Sequence, residues 1–180
     1  YFQSISLDVE YYIPNRQTEG YGISKKAIEY AHKIGAKLII TCDCGITAVD
    51  EIKYAKDYKI DTIITDHHKQ KDSLPKAYAI LNPNRRDCTY PFKGLCGAGV
   101  AFKLCLALNK TLDFELDNVM KYTDLVAIAT TADVVPVIDE NRLIVKEGLK
   151  YIINQNNIGI NALLKVSKLD VKSITVGKLG

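Results

Sequence analysis

Thr62-Ile63-Ile64-Thr65-Asp66-His67-His68 is a β-branched apolar run that stops abruptly on an acid and two adjacent imidazoles. Upstream, Leu38-Ile39-Ile40-Thr41-Cys42-Asp43-Cys44-Gly45 repeats the plan, a short apolar run ending on a threonine and an aspartate. Ala48, Ile52 and Ala55 recur between them at helical spacing, so the two runs read as neighbouring strands of a β-α-β unit, parallel, with their carboxyl ends together. Open parallel sheets form their ligand sites at that edge. Both runs are apolar at successive positions rather than alternate ones, which predicts helices on both faces of the sheet.

Working outward, Thr47 with Asp50 three positions on suggests a capped start for the helix between the strands. On the amino-terminal side, Ser24 is placed to cap a helix with Ala27, Ala31 and Ile34 on its buried stripe and Gly35 as its stop. Asn15 to Gly22 is rich in turn formers and carries Arg16, and Asp8 to Pro14 alternates as a strand does. Tyr1-Phe2-Gln3-Ser4 resembles the scar of a tag-cleaving protease and is set aside, leaving residues 5–180 as an excised piece of a catalytic domain. Downstream, Ala79-Ile80-Leu81 reads as a further short strand, followed by a proline-rich loop over residues 82–91. Helices are expected over 97–109 and 114–130, the second buried and running into Thr131-Ala132-Asp133-Val134-Val135-Pro136. An exposed helix over 140–154 should follow, then another over 160–168 and a last start after Asp170. The expected fold class is α/β, a mostly parallel sheet with helices on both faces followed by a helical segment, with no repeat or low-complexity linker dividing it.

With 180 residues and 47% hydrophobic content, the chain can bury one core of ordinary domain size. It has no apolar run near the roughly 20 residues of a membrane span and no signal-peptide pattern, so a cytoplasmic protein without a membrane partner is expected. The net charge of +3 permits a polyanionic substrate without announcing one. Five cysteines without Cys-x-x-Cys spacing suggest neither a disulfide framework nor a zinc knuckle.

Asp43, Asp66, His67, His68 and Asp133 are candidate ligands for a hard or borderline divalent ion, which prefers carboxylate oxygen and imidazole nitrogen to thiolate. The competing reading makes Asp43 and Asp66 helix caps and the histidines polar surface residues. Two successive histidines cannot both point along one face of a strand, so they belong in a loop at its end, where one can ligate while its neighbour faces a substrate.

Asp66-His67-His68, with Thr41-Cys42-Asp43-Cys44-Gly45 before it and Thr130 to Pro136 after it, resembles the motifs of the DHH phosphoesterase superfamily. Tyr11 to Arg16 with Gly20-Tyr21-Gly22, the Asn82-Pro83-Asn84 stretch, Tyr90 to Lys93 and Gly97 to Phe102 are similar to its single-stranded-DNA exonucleases. The resemblance implies a phosphodiesterase using two Mn2+ or Mg2+ ions that removes nucleotides from the 5′ end of single-stranded DNA in repair and recombination. A single-strand-binding protein or a helicase would then be its partner. It also implies that Asp43 bridges the two metals, that His67 and Asp133 bind one of them, that His68 contacts the scissile phosphate, and that Asp66 orients a histidine. Arg16, Arg85, Arg86 and Lys93 are candidate phosphate or DNA contacts, against the plainer readings of a salt bridge and a solvated basic loop. The family's opening Asp-x-Asp strand and its carboxyl-terminal DNA-gripping domain have no counterpart in these residues, so at most one ion and little activity are expected of the chain alone. Two other readings are a relative acting on short oligonucleotides, nucleoside bisphosphates or cyclic dinucleotides, and a non-catalytic DNA- or partner-binding relative.

Overall fold

A computed structural model describes residues 1–154 and 157–179. Contacts group the chain into two compact units, Phe2–Lys93 and Gly94–Gly180, with Tyr1 joining the latter.

In Phe2–Lys93, α1 (Lys25–Lys33) begins where the Ser24 hydroxyl accepts the Ala27 amide at 3.0 Å, and it stops before Gly35 at φ +77°. Its buried residues are Ile28 and Ala31, whereas Ile34 is exposed beyond the last turn. β1 (Leu38–Cys42) and β2 (Asp61–Thr65) pair in parallel with Leu38 opposite Asp61 and Cys42 opposite Thr65, and β3 (Ala79–Leu81) extends the sheet on the other side of β2, again in parallel. The connection between β1 and β2 is α2 (Val49–Asp57), which buries Ile52 and Ala55 as its spacing predicts. Ile28, Ala31, Ala55 and Ile60 form one core cluster against which Ile39 packs, so α1 and α2 share the sheet face that carries Ile39, Thr62 and Ile64.

Two expectations fail here. Thr47 is exposed and caps nothing: α2 starts from Ala48 without a side-chain cap. Residues 8–14 form neither strand nor helix despite their alternation, and Tyr11 and Ile13 are about four-fifths exposed, at 79% and 80%. Alternation specifies a strand only where a partner strand takes up the backbone groups, and β1, at the sheet edge, pairs with β2 alone.

The Gly94–Gly180 unit is helical: α3 (Gly97–Thr111), α4 (Asp117–Met120), α5 (Thr123–Ala132), α6 (Asp139–Ile153), α7 (Ile158–Val166) and α8 (Val176–Leu179). The single helix expected over 114–130 is two, because the fully buried Thr123 hydroxyl donates to the Met120 carbonyl at 2.6 Å and takes over the bonding at the break. Nor is α6 exposed. It buries Asn141, Ile144, Val145, Gly148 and Ile152, and at Gly148 it lies so close to α5 that a Cβ would stand 2.2 Å from the Thr123 carbonyl oxygen. Ile152, Ile160, Leu164 and Ile174 form a hydrophobic cluster in this unit. Among the described residues no helix is long and apolar enough to cross a membrane.

Candidate metal centre

β1 and β2 end side by side, and the chain beyond each end is tied to the other. The Asp43 amide donates to the Thr65 carbonyl at 2.9 Å, one step past β1, and the Thr65 hydroxyl donates to the Thr41 carbonyl at 2.6 Å. Asp43 itself turns into the left-handed region at φ +61°, and its carbonyl accepts the Tyr21 hydroxyl. The Thr41 hydroxyl closes the following turn on the Cys44 carbonyl at 2.8 Å, and Gly45 follows at φ +109°, where a Cβ would meet the same hydroxyl at 2.9 Å. The Asp43 carboxylate is left half exposed beside the strand ends.

Asp66, 1% exposed, organises the other side. One carboxylate oxygen accepts the Ile46 amide at 2.9 Å; the second accepts the amides of His67 and His68 at 2.8 and 3.1 Å and lies 2.7 Å from His68 Nδ1. Burial alone would raise this carboxyl, but the bonds from Ile46, His68 and His67 outweigh it and hold it below the usual carboxylate range. An ionised Asp66 fixes the proton of His68 on Nδ1 and leaves Nε2 as that ring's acceptor.

His67 Nε2 lies 3.2 Å from Asp43 Oδ1. Adjacent ligands of an octahedral ion at about 2.1 Å are separated by about 3 Å, so this pair has the spacing of two neighbouring coordination positions. Asp43, His67 and His68 each offer a ligand atom, all within 4.8 Å of one another, the one such group among the described residues. The donors fit an ion that favours oxygen and imidazole. Burial, then the nearby carboxylates and Cys42, push the Cys44 thiol up to about 11, so the cysteines beside Asp43 do not present thiolates. An open cleft of about 470 Å³ adjoins the cluster, lined by Tyr21, Gly45, Thr47, Glu51, His68 and Lys69 among others.

The remaining candidates fall in different places. Asp133 belongs to the Gly94–Gly180 unit, at the end of α5, with its amide on the Ala129 carbonyl. The segment after it is held by Asn141 of α6, whose Nδ2 donates to the carbonyls of Pro136 at 2.9 Å and Gly94 at 2.7 Å. Arg16 lies over the Tyr21 ring, 5.5 Å from its centre, and that ring stands edge-on to His68 at 5.8 Å. Arg85 and Lys93 serve the loop they stand in: Arg85 binds Asp87 and the Ile80 carbonyl, and Lys93 Nζ reaches the carbonyls of Pro83 and Cys88 at 2.7 and 2.8 Å. Arg86 makes a 3.4 Å contact with Asp72 on the surface. Sequence reasoning gave Tyr21, Asn82 and Asn84 no individual role, although Gly20-Tyr21-Gly22 and Asn82-Pro83-Asn84 are among the stretches that carry the resemblance; all three act on main-chain carbonyls.

The model of the DHH family, N-terminal domain, matches residues 1–130. The chain belongs to the DHH family. Among curated DHH relatives it is 47% identical over 169 residues to the single-stranded-DNA-specific exonuclease RecJ of Bacillus subtilis, covering 94% of this chain and 21% of that protein. It is 40% identical to RecJ of Escherichia coli, covering 96% of this chain and 32% of that protein. The chain therefore spans between about a fifth and a third of the length of these relatives. A crystal structure of exonuclease RecJ bound to manganese superposes with a TM-score of 0.84 at 30% identity, over 98% of this chain and 44% of that one. RecJ of Thermus thermophilus in complex with Mn2+ superposes at 0.73 with 29% identity, over 86% of this chain and 22% of that one. The α/β fold with a parallel sheet expected from the two strand runs is thus the fold of this DHH branch.

Proposed function

We propose that this DHH chain is the metal-holding part of the catalytic domain of a cytoplasmic, single-stranded-DNA-specific exonuclease of repair and recombination, working with Mn2+ or Mg2+. The observation that carries the reading is the 3.2 Å approach of His67 Nε2 to Asp43 Oδ1 beside an Asp66-oriented His68. Asp43 and His67 would hold the ion, Asp133 is the further carboxylate proposed as a ligand, and Asp43 has the two oxygens that sharing with a second ion would need. When bound, the ions supply an activated water and neutralise phosphoryl charge. His68 presents Nε2 to a non-bridging phosphate oxygen, its other nitrogen held by Asp66. Arg16, stacked on Tyr21, is placed to meet the backbone of the strand, which a helicase or single-strand-binding protein would deliver.

Manganese calorimetry on the chain tests this. One ion per chain is expected, with affinity reduced at least about tenfold in His67→Ala; two tight sites, or a site indifferent to that substitution, refutes it. In a longer protein containing these residues, cleavage of single-stranded DNA in manganese should vanish in Asp43→Asn. Undiminished cleavage of dinucleotides relative to long strands would favour an oligonucleotide phosphodiesterase instead.

A further inference from the structure

The loop that follows β3 grips the loop that follows β2. Asn84 Nδ2 donates to the His67 carbonyl at 2.6 Å and Asn82 Nδ2 to the His68 carbonyl at 2.8 Å, so the two residues of the imidazole pair are each held by their own amide. Asn82 is 4% exposed, and its Oδ1 accepts the Asn84 amide at 2.7 Å, so both ends of its side chain are in use. Neither amide can be flipped without setting oxygen against oxygen, so the bonding pattern fixes their orientation. The grip has two further ties: Lys93 holds the Pro83 carbonyl between the two asparagines, and Gln70 Oε1 accepts the Arg86 amide at 2.9 Å. From the opposite side Asp66 takes both histidine amides. The His67–His68 backbone is therefore held at its N–H groups by a carboxylate and at its carbonyls by two carboxamides.

We infer that Asn82 and Asn84 are positioning residues, which set where the His67 and His68 rings stand and thereby the affinity of the metal centre. The inference rests on the proposed metal reading. A peptide held on one side alone can rotate about its flanking bonds and swing both rings, whereas one held on both sides cannot. Partners that orient metal-binding histidines through their rings govern affinity 10- to 100-fold, and these carboxamides act one step further back, on the backbone that carries the rings.

Two variants separate the role from simple loss of stability. Asn82→Asp keeps the acceptor for the Asn84 amide but replaces the donor to His68 with a carboxylate oxygen set against that carbonyl, and Asn84→Ala removes only the donor to His67. Asn109→Ala is the control, since Asn109 makes the same kind of bond to the carbonyls of Phe114 and Glu115 in the other unit. Each chain is examined metal-free by proton NMR of its three histidine rings and then titrated with manganese by calorimetry. The expected result is displaced His67 and His68 ring signals with His32 unmoved, and manganese affinity 10- to 100-fold weaker, in Asn82→Asp and Asn84→Ala but not in Asn109→Ala. Unmoved His67 and His68 signals in both variants overturn the inference, as does equal weakening in Asn109→Ala. A parent chain that binds no manganese sinks the metal reading, while the ring signals still decide whether the asparagines position the histidines.

Discussion

At the scale of single residues, Asp66 shows how a motif divides its labour. A carboxylate that accepts four bonds is the foundation of the site rather than a ligand in it, and its replacement should be felt in folding before it is felt in chemistry. Asp66→Asn offers one oxygen and turns an NH2 group toward amides that need an acceptor. The expected loss is about 2–3 kcal/mol by urea unfolding. This part of the site was legible, because an acid and two imidazoles at the end of an apolar strand have no packing reason to be there. Tyr21, Asn82 and Asn84 were not legible as individuals: a side chain that bonds a main-chain carbonyl leaves no period in the sequence, and its partner is chosen by the tertiary path.

At the scale of elements, β1, α2 and β2 could be read because their apolar spacing switches cleanly between strand and helix, and because Gly35 and Ser24 mark a real stop and start. The strand expected at residues 8–14 fails for want of a partner, and the supposedly exposed α6 is buried because its small residue, Gly148, sits where α5 comes closest. Gly148→Ala should push the two helices apart at a cost of at least about 2 kcal/mol, read as a lower urea midpoint. The start of α5 carries a second test. Burial raises the Asp124 carboxyl above the ordinary range against bonds from the Leu125 amide and Asn157. With the folded-state value raised, the unfolded chain gives up this proton first, so the group's contribution is complete at acid pH and is lost as pH climbs through the raised value. Asp124→Asn cannot lose that proton, and its urea midpoint should gain on the parent's as pH rises from about 3 to about 7.

At the scale of the whole molecule, the split into two units was not read from the sequence: Gly94, Gly97 and Gly99 cluster at its boundary, but the last two open α3 rather than form a linker. Asp43 and His67, the proposed ligands that approach each other, both belong to the Phe2–Lys93 unit. Manganese should therefore stabilise the folded chain by mass action, by about 2.7 kcal/mol at a hundredfold excess over Kd, and the gain should fall by at least about 1.3 kcal/mol in His67→Ala. Melting curves with and without the ion measure this; an equal gain in the variant would show that the ion binds elsewhere. The same division has a consequence in time. The contacts described around Asp43, His67 and His68 lie between Arg16 and Asn84, on neighbouring parallel strands, and they are complete well before Asp133 is synthesised. The 49 residues from Asn84 to Asp133 (133 − 84) take roughly 2 to 10 seconds to translate. For that interval the nascent chain can already carry the clustered carboxylate and imidazoles, so the geometry around Asp43, His67 and His68 is set by the amino-terminal unit's own residues rather than by anything synthesised after them.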